Sequence, residues 1–134
     1  MIYSELTRGH FANASHSGIL SGDGVARGAA GSAAQGTWVQ FDLRLAPHAN
    51  GTVCVAQASF LAFGCPHTIA VADWLAGYAP GRSVEPALPE PVHALQQRFA
   101  VPTEKLGRLL IVEDAWTAAV AAGLALLRNT QNAT

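Results

Sequence analysis

Charge is scarce in this chain. Lysine and arginine number eight and aspartate and glutamate nine, 13% of 134 residues, for a net charge of −1. The eight basic residues are scattered, which argues against the cationic footprint that a nucleic acid or an anionic membrane surface selects. Cysteine is scarcer: two residues, too few for a disulfide framework at this length. No uninterrupted apolar run reaches the roughly 18 residues of a membrane span. The longest, from Ala115 to Leu127, contains Thr117 and Gly123 and reads as a buried C-terminal helix. The opening Met1-Ile2-Tyr3-Ser4-Glu5 has no basic stretch leading into an apolar one, so no secretory signal is expected and the cytoplasm is the expected compartment. The Asn-X-Ser/Thr triplets at Asn13, Asn50 and Asn132 carry no meaning there. The glycine-rich stretch Gly22 to Gly36 lacks the order of a dinucleotide loop.

What is present is apolar. Half the residues are hydrophobic, which with this length predicts one folded domain over residues 1–134 around one core. Ser4 to Phe11 reads as a short helix capped by Ser4, and Asn13 to Gly36 as a loop with at most a weak strand near Val25 to Ala30. From Thr37 to Leu45, Trp38, Val39, Phe41, Leu43 and Leu45 alternate against Gln40, Asp42 and Arg44, the pattern of a half-buried strand. Pro47 to Gly51 is a turn, and Val53 to Phe60 the antiparallel partner strand. A helix follows to Tyr78, stopped by Ala79-Pro80-Gly81. Glu85 to Pro91 is a connector and Val92 to Phe99 a short helix. A long helix is capped by Thr103, with a polar, frayed tail after Arg128. Strands segregated from helices predict an α+β domain with helices on one face of a small antiparallel sheet. Trp38, Trp74 and Trp116 sit at core-like positions.

The phrase Phe63-Gly64-Cys65-Pro66-His67-Thr68 joins the second strand to its helix. Gly64 allows the sharp turn and Pro66 suits the first helical position, so Cys65 falls at the helix N-cap. Unpaired backbone donors and the helix dipole stabilise a thiolate there. Cys54, between two valines in a strand, reads as a small buried hydrophobe. His67 makes Cys-X-His with Cys65. A zinc or iron site would need His10 to fold over and a fourth ligand that the sequence does not offer. His16, His48 and His93 read as surface histidines. No nucleophile, base and orienting group fall together, so an enzyme is not expected.

Five segments, in order, resemble the iron–sulfur cluster assembly scaffolds of the IscU type and the N-terminal domain of NifU. They are Tyr3-Ser4-Glu5 with His10-Phe11 and Asn13; Gly31 to Thr37; Phe63-Gly64-Cys65; Val101 to Lys105; and Glu113-Asp114-Ala115. The resemblance spans Tyr3 to about Leu127 and implies a three-stranded sheet. It also implies a [2Fe–2S] site on three cysteines, aided by an Asp two residues after the first. At the matching positions this chain has Gln35 for the first cysteine, Thr37 for the Asp and Gly107-Arg108 for a His-Cys pair. Cys65 alone is kept. Thiolates are the ligands such clusters need, so the implied protein is a degenerate scaffold that does not hold a cluster alone.

The implied partners are a cysteine desulfurase or other assembly proteins. The segment that resembles the chaperone motif lacks its second proline and carries Glu104, which weakens the case for chaperone docking. The family arrangement would bring Arg108 against Cys65, favouring a thiolate that accepts sulfur or senses redox state. Gln35, Thr37 and Arg108 would form a polar plug. Alternatively, Cys65 carries sulfur, iron or zinc, or two copies share a [2Fe–2S] cluster across a homodimer. Glu113 and Asp114 would stabilise the start of the last helix.

Overall fold

A computed structural model describes residues 3–132; Met1, Ile2, Ala133 and Thr134 lie outside the described residues. The elements are α1 (Glu5–Ala12), β1 (Val25–Ser32), β2 (Thr37–Pro47), β3 (Val53–Phe63), α2 (Pro66–Tyr78) and α3 (Val92–Arg98). A 3-10 turn (Thr103–Lys105) then leads into α4 (Leu106–Asn132). The strands form one antiparallel sheet in the order β1-β2-β3, as an α+β reading requires.

Alternation along β2 decides which face is covered. Val39, Phe41, Leu43 and Leu45 point inward and are buried, joined by Val55 and Phe60 of β3. They meet Val71 and Leu75 of α2, Leu95 of α3 and Leu109, Val112, Trp116 and Val120 of α4 in a shared core. Helix α4 lies over β1 and β2, and α2 over β3. Glycine sets the first of these distances. A Cβ on Gly28 would fall 2.1 Å from the backbone nitrogen of Ala119, so any other residue there would push helix and strand apart. Trp116 packs edge-on against Phe41 at 5.3 Å and donates its indole N–H to the Glu85 carbonyl.

Several elements depart from the sequence reading. The weak strand is a full eight-residue strand, β1, paired with β2 from Val25↔Arg44 to Ser32↔Thr37. Pairing with a neighbour supplies what its small residues lack in propensity. β3 runs on to Phe63. Thr103 opens the 3-10 turn, and Pro102 stands at its cap position. The helix proper starts at Leu106 and continues to Asn132, so residues 129–132 are helical where a frayed tail is the sequence expectation.

Helix α4 is long and apolar enough to cross a membrane by length and composition, with a mean hydropathy of 1.7 over its best window. Its Leu109, Val112, Ala115, Trp116, Ala119 and Val120 are nevertheless buried under the sheet. Of the three tryptophans only Trp116 is in the core; Trp38 and Trp74 are half-buried.

Asp42 is the other departure. Alternation sends it to the solvent face of β2, yet it is 1% exposed. Arg27 grips it with two hydrogen bonds, at 2.7 and 2.9 Å, and the Leu20 N–H and the Gln40 amide donate to it as well. This pairing raises the Arg27 pKa above its ordinary value. The segment leading to β1 therefore covers part of the outer face. It also lines the free edge of β3, where Gly18 donates to the Phe60 carbonyl and Phe60 to that of His16.

Candidate functional site

Three chain segments converge at one corner: the first residue of β2, the β3–α2 turn, and the entry to α4. Gly64 makes the turn with φ +144°, a value that side chains disfavour. Cys65 follows as the N-cap of α2 with Pro66 in its first turn, as the sequence predicts. The Cys65 Sγ lies 3.7 Å from Thr68 Oγ1 and 3.8 Å from His67 Nδ1. Burial pushes the thiol up, but the Thr68 N–H and hydroxyl, the His67 N–H and the Arg108 guanidinium outweigh it. The Cys65 pKa lies below the ordinary 9.0.

His67 is 1% exposed and its ring meets Tyr3 edge-on at 4.8 Å. Burial, with positive Lys105 and Arg108 nearby, drives its pKa below the ordinary 6.5. Its imidazole is therefore neutral at pH 7. Nδ1 faces Cys65, while Nε2 is buried without a hydrogen-bond partner among the described residues. Thr37 is 1% exposed and its hydroxyl is likewise buried and unpartnered. A Cβ built on Gly64 would touch Thr37 Oγ1 at 3.5 Å, Thr68 Oγ1 at 3.6 Å and the Gly36 carbonyl at 3.5 Å. The corner is a small oxygen-lined notch beside a thiol.

Cys65, His67, Thr37 and Arg108 thus share one site. Gln35 does not join them: it is exposed on the β1–β2 turn, tied to Ser32 through its backbone N–H and its amide oxygen. The expected plug lacks this member because the turn draws the side chain back on itself. Gly107 is exposed, with no neighbour where a side chain would be.

His10 is held elsewhere, its Nδ1 2.7 Å from Asp73 Oδ2, so it cannot fold over Cys65. His16, expected on the surface, donates its backbone N–H to Asp73 Oδ1 at 3.0 Å and brings Nδ1 within 3.3 Å of the same oxygen. Glu5, His10, Ser15, His16 and Asp73 line a cavity of about 570 Å³. Cys54 is buried at the start of β3, bridged to Ser83. Glu113 and Asp114 fall well inside α4, and none of the first-turn residues of that helix is acidic. Their expected role at a helix start is lost because the helix begins at Leu106.

Sequence reasoning missed Thr68 and Asp73. A Cys-X-X-Thr spacing at a helix start places a hydroxyl one turn above the thiol, a usable signal. Asp73 is the one acidic residue in the apolar run of α2, and a lone carboxylate in such a run calls for buried partners.

The comparisons agree with this fold. The family model of the NifU-like N terminal domain matches residues 2–125. The chain belongs to that family. No curated protein matches it. NifU-like domains are scaffolds of iron–sulfur cluster assembly, yet the donor set of this chain does not fit a cluster. The corner offers one thiol, one imidazole, a threonine hydroxyl and a guanidinium, and a guanidinium has no lone pair to give, so the donors fall short of the four that such a centre takes. Among the described residues no group of three His, Cys, Asp or Glu side chains is placed to hold a metal ion.

Proposed function

We propose that this NifU-like domain serves iron–sulfur cluster assembly as a degenerate scaffold: it engages the assembly machinery, a cysteine desulfurase above all, and does not hold a [2Fe–2S] cluster alone. The observation that carries this reading is the convergence of Thr37, Cys65 and Arg108 on one corner, with a single thiolate where four are the norm for such a centre. The fold is kept while the ligands are replaced, which fits a protein that acts through its surface.

Protein purified without oxygen, beside a Cys65→Ser variant, tests it. Neither is expected to carry iron with acid-labile sulfide, and both are expected to bind a cysteine desulfurase saturably. Iron and sulfide in the wild type and none in the variant would replace this reading with a working cluster site anchored on Cys65. Zinc lost in the variant would make the corner a metal carrier.

The lowered pKa of Cys65 favours a second reading, a sulfur carrier. The thiolate would attack the terminal sulfur of a desulfurase persulfide. That S–S bond breaks, a new one forms on Cys65, and the desulfurase cysteine departs as thiolate. A gain of one sulfur atom on the Cys65 peptide after turnover is the expected mass-spectrometric signature.

A further inference from the structure

We propose that the cleft between the C-terminal end of α2 and the connector before α3 binds a free α-amino acid with an apolar side chain. Arg82 and Glu85 take its zwitterionic head, and its side chain lies against the core. This goes beyond the scaffold reading. The whole of α2, about 20 Å of helix, separates the cleft from Cys65, and neither metal content nor desulfurase binding bears on it.

The cavity measures about 430 Å³, and the buried Val55, Ala79, Leu88 and Trp116 give it apolar walls. Small-molecule sites share this build: apolar walls with a few placed polar groups. Backbone bonds fix the rim. Val55 donates to the Arg82 carbonyl and Val84 to that of Val53, so the connector runs on as an edge to β3. Trp116 donates to the Glu85 carbonyl and the Thr117 hydroxyl to that of Pro86. The cavity is therefore part of the folded chain and not a gap under a loose loop.

Arg82 and Glu85 both line this cavity, and they do not pair with each other. The Arg82 guanidinium lies 3.8 Å from the centroid of the Tyr78 ring, and its Nε–H donates to the Tyr78 carbonyl at 3.0 Å. These contacts fix the plane of the guanidinium. Its terminal nitrogens, part of the fork that grips a carboxylate, have no acidic partner among the described residues. The Glu85 backbone is held by Trp116, and its carboxylate has no cationic partner among the described residues. A cation and an anion left unpaired at an apolar cavity match a ligand with both charges on one carbon and a hydrocarbon beyond. A free amino acid is that ligand. A fatty acid would set a like charge against Glu85, an amine would set one against Arg82, and a peptide end carries only one of the two charges.

The test titrates L-leucine into the whole protein and follows the backbone amide and indole N–H resonances by NMR. Saturable shifts are expected at Val55, Arg82, Glu85, Leu88 and the Trp116 indole, with Cys65 unmoved. Two analogues each lack one charge: 4-methylpentanoate has no ammonium and leucinamide no carboxylate. Each should bind about tenfold more weakly than leucine, the weight of one charged hydrogen bond. Arg82→Met should weaken leucine by a similar factor and leave leucinamide unchanged. Glu85→Gln should weaken leucine and leave 4-methylpentanoate unchanged or tighter. No saturable shift at these residues, or leucine no tighter than either analogue, overturns the proposal in the wild-type protein alone, even if a variant fails to fold. Unchanged leucine affinity in a folded Arg82→Met or Glu85→Gln protein overturns it equally.

Discussion

Two kinds of polar interior sit side by side in this protein, and they are built to opposite rules. Around Asp73 and Asp42 every carboxylate oxygen is used: His10 and His16 take the first, Arg27, Gln40 and the Leu20 N–H the second. At the Cys65 corner, a Thr37 hydroxyl and the His67 Nε2 are buried with no hydrogen-bond partner among the described residues. Saturated clusters fasten the chain; an unsaturated one is poised to meet something else. Both carboxylates anchor the same piece of backbone, the stretch from α1 to β1, and the corner holds no comparable fastening.

Removing a fastening should therefore hurt most. Asp73→Ala removes the shared acceptor of two partly exposed histidines and of the His16 backbone N–H, and should lower unfolding free energy by about 3 kcal/mol in denaturant titrations. Asp42→Ala should cost about 2 kcal/mol, with the released Arg27 half-exposed and able to turn to water. Equal stability of either variant and wild type would erase the contrast between the two regions.

The His67 effect comes next and depends on pH. Its folded pKa is depressed below the unfolded value near 6.5, so the unfolded chain binds the extra proton. Stability is complete above that value and falls as pH drops through it toward the folded pKa. His67→Gln should flatten the acid limb of a stability-against-pH curve measured by urea melts. An unchanged limb would mean that some other group sets it. The smallest change belongs to Thr37→Val, which should shift stability by less than about 1 kcal/mol and in either direction, because its hydroxyl has no bond to lose among the described residues.

Much of this architecture was legible in the sequence, and the reasons are local. Ser4, Pro66 and Gly64 are punctuation that acts on its immediate neighbours, so α1, the turn and the start of α2 followed from it. The alternation from Trp38 to Leu45 carried the buried face of β2. What escaped depends on tertiary contact. β1 is made of small residues whose role is to let α4 come close at Gly28, and nothing in its own pattern says so. Asp42 looked solvent-bound because alternation is blind to a loop that folds back over a strand. Asp73 and its histidines are separated by more than half the chain before α3 is reached, and no spacing rule links them. At the corner Thr37 and Arg108 lie by the Cys65 turn, while Gln35 goes to its own turn.

The central claim is that a scaffold fold has traded a ligand set for one activated thiol, and the titration of Cys65 tests it most directly. Iodoacetamide alkylation of the Cys65 peptide, followed across pH in the wild type and in Arg108→Gln, gives its pKa with Cys54 as the buried internal reference. The account predicts a midpoint below 9.0 that rises toward it when the guanidinium is removed. A midpoint at or above 9.0, indifferent to residue 108, would contradict it.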